Sequence, residues 1–116
     1  MEVIILTKEY KNISNEFYLM PKLFFIDEDY KDLDSDSILL YTILLDKTMN
    51  LSETAGWVDD EGSLYVIAPV KDLQIILNCS TYKIAKIKKE LVAYDLISVV
   101  RGGISEYDKI YVKQIN

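Results

Sequence analysis

Only three residues, Asn78, Cys79 and Ser80, separate two apolar-faced segments of this chain, and no other feature narrows the fold as much. Before that joint, Pro69 suits the first helical position, and Val70, Leu73, Ile76 and Leu77 recur on one side of a helix ending near Asn78. After it, Ser80 is a good N-cap, and Ile84, Ile87 and Leu91 give an i, i+3, i+7 stripe that buries one side of a second helix through Tyr94. Helices joined this tightly must cross steeply, as in a helix-turn-helix. Beyond Asp95, Leu96 to Arg101 reads as a strand, Gly102 to Asp108 as a loop, and Ile110 to Ile115 as a returning strand with Ile110 and Val112 alternating.

Upstream, Asp34 is a good N-cap, and Ile38, Tyr41, Leu44 and Leu45 recur at helical spacing over about 35 to 48. Trp57-Val58, the turn Asp59-Asp60-Glu61-Gly62 and Leu64 to Ile67 read as a hairpin. Residues 7 to 16 are polar linker, and Val3 to Leu6 is a short β-favouring run, so residues 1–16 are expected to be an N-terminal arm or edge strand before a domain spanning 17–116. Phe17 to Met20 then approaches Pro21 in an extended conformation. The order helix, hairpin, helix, tight turn, helix, strand, glycine loop, strand predicts an α+β winged helix-turn-helix with a small antiparallel sheet and an extra N-terminal segment.

Composition bounds the function. With 116 residues, half of them apolar, the chain can bury roughly two-thirds of its unfolded surface without staples. The single Cys79 excludes an internal disulfide. The near-apolar stretch Ile38 to Leu45 is under half the ~20 residues needed to span a bilayer. Met1 and Glu2 lack the cationic start of a signal peptide, so a cytoplasmic protein that does not engage a membrane is expected. There is no His, which removes the commonest general base and zinc ligand, and one Cys builds no thiolate site, so neither catalytic residues, nor a metal, nor a cofactor are expected. The net charge of -6 argues against a nucleic-acid binder, yet it is unevenly spread. Residues 1–79 carry a balance of -9 and residues 80–116 one of +3. Charges more than about 8 Å apart are screened at physiological salt, so the local sign decides.

If Ile84, Ile87 and Leu91 face the core, then at about 100° per residue Tyr82, Ala85, Lys86, Lys89 and Ala93 face outward. Small Ala residues permit close approach to a groove, Lys reaches phosphates or guanine edges, and Tyr82 near the helix start reaches base or backbone. The candidate double-stranded DNA-binding residues are therefore Thr81, Tyr82, Lys83, Lys86 and Lys89, flanked by Lys71 on the preceding helix and by Arg101 and Lys109 at the wing. Lys88 projects toward the buried stripe and is left out. The plainer readings are a solvated lysine face, Trp57 as a hairpin core anchor, Cys79 as a half-buried turn residue, and Gly102-Gly103 as a flexible wing tip. The acids between Asp27 and Asp36 invite a calcium reading, but the glycine and the bidentate acid of such a loop are missing, which leaves helix capping and a solvated surface.

Several blocks together carry a family resemblance: Phe17-Tyr18 with Pro21-Lys22, Tyr30-Lys31-Asp32-Leu33, Leu39-Leu40-Tyr41, Leu44-Leu45-Asp46, Gly56-Trp57-Val58-Asp59, Glu61-Gly62, Tyr65-Val66-Ile67, Leu77-Asn78-Cys79-Ser80, Lys89-Glu90-Leu91, Leu96-Ile97 and Ile110-Tyr111-Val112-Lys113. In this order they resemble the N-terminal domain of plasmid replication initiators of the RepA N-terminal family. The resemblance implies a winged-helix domain that binds the repeats of a theta-type plasmid origin as a homodimer, with replication proteins as further partners and no chemistry of its own. It departs at the wing, where Ile97 to Val100 precede a single Arg101 and the loop carries Glu106 and Asp108 in place of a basic segment. Family members also carry a further C-terminal domain, whereas this sequence stops at Asn116, as a truncated chain or a free-standing relative would. The weak wing and the overall charge motivate a second reading, a protein-interaction or transcription-regulatory winged helix with little origin binding.

Overall fold

The computed structural model describes residues 16–115, so the expected arm over 1–16 lies, apart from Glu16, outside the described residues. The elements are α1 (Leu23–Ile26), a 3-10 turn (Glu28–Tyr30), α2 (Ser35–Asn50), α3 (Ser52–Ala55), α4 (Val70–Leu77), α5 (Thr81–Ala93), β1 (Ile97–Val100) and β2 (Lys109–Val112). This is a winged helix-turn-helix in which α4 and α5 form the turn motif and β1–β2 the wing.

Around α2, Ile38, Tyr41 and Leu44 of the expected stripe are buried and Leu45 is partly so, but Leu40, Thr42 and Ile43 are buried too. The reason is position: α3, α4, α5 and β2 all pack on α2, so it is covered on most sides instead of one. Its start is capped as expected, with Asp34 accepting from the Asp36 N–H at 2.8 Å, and Asp27 caps the preceding 3-10 turn through the Asp29 N–H at 2.9 Å. The Tyr41 hydroxyl donates to the Lys113 carbonyl at 2.7 Å and ties α2 to the end of β2, while burial pushes its pKa up. Phe24 meets Tyr30 and Tyr41 edge-on at 5.4 and 5.3 Å, an aromatic clamp that fastens the segment before α2 to the core.

The joint is close to expectation. The α4 helix begins at Val70, one position later than predicted, and Pro69 is the residue before it, its φ of -57° with ψ of 143° leading the chain in. Leu73 is fully buried and Val70 and Leu77 are partly so, but Ile76 is exposed, because the short helix covers the core over little more than one residue per turn. Asn78 turns the chain at φ 50°, ψ 54°, a left-handed conformation that Asn tolerates better than most residues. Ser80 then caps α5 by accepting from the Lys83 N–H at 3.1 Å. Ile84, Ile87 and Leu91 are essentially without exposure, each contributing roughly 1.5–3 kcal/mol of burial.

In the wing, β1 and β2 pair antiparallel with Val99 opposite Ile110. The hairpin expected over Trp57 to Ile67 differs from expectation. Its arms share one isolated bridge, Val58 to Leu64, and the turn is held by Asp59, whose carboxylate accepts from the Glu61 and Ser63 N–H groups at 3.0 and 2.9 Å while Gly62 takes a φ of +85°. Val66 is fully buried and must pair its backbone, and it finds the free edge of β2, exchanging bonds of 2.8 and 2.9 Å with Ile110. The returning strand ends at Val112, short of Ile115. Trp57 packs partly buried against the core, as does Cys79.

Candidate nucleic-acid interface

The outward stripe stands where the periodicity of α5 puts it. Tyr82 is 78% exposed, and Ala85, Lys86, Lys89 and Ala93 are all exposed. Among the described residues, neither Lys86 nor Lys89 has an ion-pair partner. No described carboxylate is paired directly with either ammonium, though the Lys86 charge is near enough to Asp34 to help, weakly, in holding that carboxyl down.

On one flank of this stripe, a cleft of about 340 Å³ separates α5 from the base of the wing. Thr81, Ala85, Lys88, Lys89 and Val92 form its helical wall, and Val99, Arg101 and Asp108 form the other. The expected residues Thr81, Lys89 and Arg101 are therefore brought together around this cleft, which Val70 also lines, whereas the exposed Lys71 is next to Val70 in the chain but does not line it. Lys88 and Val92 were not anticipated as part of it. The signal for them is present in the spacing: residues 81, 85, 88 and 92 form a second helical row, set to one side of the outward one.

On the opposite flank, Lys83 is committed within the chain. Its ammonium lies 3.1 Å from an Asp34 oxygen and 3.2 Å from one of Asp36, with 27% of its side chain exposed. Both hydrogen bonds hold its pKa above the ordinary lysine value, while the Asp36 N–H and then Lys83 hold Asp34 below the ordinary carboxylate value. Seven residues on, Glu90 accepts from the Asp34 N–H at 2.7 Å, so two turns of α5 grip the start of α2. Expected beside Lys86 and Lys89 on the open face, Lys83 instead faces two carboxylates, because the start of α2 lies alongside this edge of α5.

Lys109 is likewise drawn aside, its ammonium 4.9 Å from the Tyr65 ring centroid. Tyr65 leans on Tyr111, whose hydroxyl donates to Asp59 at 2.9 Å. Burial and then this bond push the Tyr111 pKa up, and the Ser63 N–H leads the interactions that hold Asp59 down. In the wing, Gly102 is a neck and not a tip. Its N–H donates to the Asp108 carboxylate at 3.0 Å, and a Cβ there would collide with the backbone carbonyls of Glu106 and Tyr107. The tip presents Ile104 and Tyr107, both exposed, with Glu106 beside them.

The sequence profile of the family described as "Replication initiator protein A (RepA) N-terminus" matches residues 16–116. The chain belongs to that family. Solved structures similar to this RepA N-terminal domain include "N-Terminal domain of DNA binding protein", at 35% identity and a TM-score of 0.77 over 98% of this chain and 84% of that one. "Structure of Rep-DNA complex" is similar at 35% identity and a TM-score of 0.77, over 97% and 84% of the two chains. "Structure of MDR initiator" is similar at 38% identity and a TM-score of 0.73, over 97% and 86%. A "41 kDa protein" of Lactobacillus helveticus is 28% identical over 93 residues, 80% of this chain; the chain spans about a quarter, 26%, of that relative's length. Among the described residues, no helix of this RepA N-terminal domain is long and apolar enough to cross a membrane.

Proposed function

We propose that this chain is the double-stranded DNA-binding domain, residues 17–116, of a cytoplasmic plasmid replication initiator that recognises origin repeats as a homodimer and performs no catalysis. The observation that carries the reading is the exposed, unpaired lysine face of α5 in a domain that resembles, at 35% identity, a protein solved as a Rep-DNA complex. Lys86 and Lys89 reach phosphates or base edges, Tyr82 meets the groove near the helix start, Ala85 allows close approach, and Thr81, Lys71 and Arg101 flank them. Lys83 and Lys109 are left out because each ammonium already has a partner.

A titration of repeat-containing duplex, taken from the origin of the plasmid that encodes the chain, tests this against a scrambled duplex, with sedimentation giving the number of chains per repeat. Tighter binding of the repeats by two chains is expected. Equal affinity for both duplexes would remove sequence recognition, and one chain per repeat would remove the dimer. A second reading, a protein-interaction domain, is favoured by the wing tip alone, where Ile104 and Tyr107 are exposed next to Glu106. Under it, wing-tip substitutions abolish capture of a defined replication protein and leave duplex affinity unchanged.

A further inference from the structure

Lys83 holds an unusual place among the lysines of α5. Three residues along a helix amount to about 300° of rotation, so its side chain leaves the helix only about 60° around from Lys86. It stands at the edge of the outward face, within reach of whatever that face meets. Yet its ammonium is spent on Asp34 and Asp36, at 3.1 and 3.2 Å. Two carboxylate oxygens at these distances offer a lysine what a pair of phosphate oxygens would, and they sit at the N-terminus of α2, where the helix dipole favours their charge. Asp34 is itself fixed from behind, by capping the Asp36 N–H and by donating its own N–H to Glu90, so its carboxylate does not follow Lys83 if it swings away.

We propose that Asp34 and Asp36 are specificity-determining residues of the DNA-binding face, withholding Lys83 from the phosphate backbone so that α5 meets arbitrary duplex with one cation fewer. Non-specific affinity is set chiefly by the number of phosphates neutralised, each adding about 0.9 to the slope of log affinity against log salt. A duplex can recruit Lys83 only by exchanging both ion pairs for phosphate contacts of the same kind, which leaves two carboxylates unpaired beside the backbone and gains nothing for arbitrary sequence. The sequence-reading residues of the stripe are unaffected, so the ratio of specific to non-specific binding rises. This inference rests on the DNA-binding reading above.

The test measures the salt dependence of binding to a random-sequence duplex for the wild type, Asp34→Asn with Asp36→Asn, Lys83→Gln, and all three together. Asn caps helices as well as Asp, so the double variant keeps the α2 cap. Should that variant fail to fold, Asp34→Ser with Asp36→Asn also removes both carboxylates, with Ser as an equally good cap, and carries the test. Freeing Lys83 is expected to steepen the slope by about 0.9, an extra loss of about 3.5-fold in affinity for each fourfold rise in salt. Lys83→Gln is expected to leave the wild-type slope unchanged and to return the double variant's slope to the wild-type value. The proposal is overturned by an unchanged slope in the double variant, by an increment that survives Lys83→Gln and so reports only the general field, or by Lys83→Gln flattening the wild-type slope. Lack of duplex binding by every protein at low salt would instead overturn the DNA reading beneath it.

Discussion

Asp34 shows how much one side chain can join. It caps α2, accepts the Lys83 ammonium and presents its own N–H to Glu90. Its carboxyl titrates below the ordinary 3.8, first because the Asp36 N–H and then because Lys83 favours the charged form. The stability this contributes is therefore complete above about pH 3.8 and is lost as pH falls through the lowered folded value. Asp34→Asn keeps the cap and is expected to give a flatter acid limb in urea midpoints measured against pH; a limb identical to the wild type's would contradict the pairing. Asn78 gives a second expectation. Its left-handed conformation penalises a Cβ with no polar side chain to compensate, so Asn78→Ala should cost about 1 kcal/mol while Asn78→Gly costs nothing, read from midpoints at constant m-value. The caps at Asp34 and Ser80 could be read from the sequence because capping needs only residues two or three positions away. The Lys83 pairs could not, since their partners are 49 and 47 positions distant and nothing local distinguishes Lys83 from Lys86.

Periodicity reads the buried stripe and open face of α5; for α2 it gives the helix and the burial of Ile38, Tyr41 and Leu44 but not that of Leu40, Thr42 and Ile43, because four other elements surround it. The same distinction explains the weak hairpin. Trp57 to Ile67 carries strand-like residues, but Val66 pairs across to Ile110, an alliance that no local pattern announces. Leu91 lies in the core at the end of the α5 stripe, and Leu91→Ala should cost about 2–5 kcal/mol in urea unfolding, which would loosen the lysine face together with the core. At the wing, Gly102→Ala forces the neck apart where β1 leaves and β2 returns. Amide exchange in β1 and β2 is expected to rise while that of α4 and α5 stays near wild type, and exchange rising equally in all four elements would show that the neck acts on the whole fold. The expectation of a glycine wing tip missed this because close backbone approach leaves no mark on composition.

At the scale of the whole molecule, the domain is an acidic body with a cationic edge. The balance of -9 over residues 1–79 and +3 over 80–116 foreshadows the arrangement, and the structure refines it by cancelling Lys83 against the body's own Asp34 and Asp36. Lys86 and Lys89 remain as the unpaired ammonium groups of the outward stripe, with Arg101 exposed across the cleft. The function reading stands or falls with those two lysines. Binding of repeat duplex by the wild type and by Lys86→Ala with Lys89→Ala, measured across a salt series, decides it. The double variant is expected to fold normally, to bind more weakly at low salt, and to show a slope flatter by about 1.8, or 0.9 for each phosphate no longer neutralised. Wild-type affinity and an unchanged slope in the folded double variant would contradict DNA binding through this face.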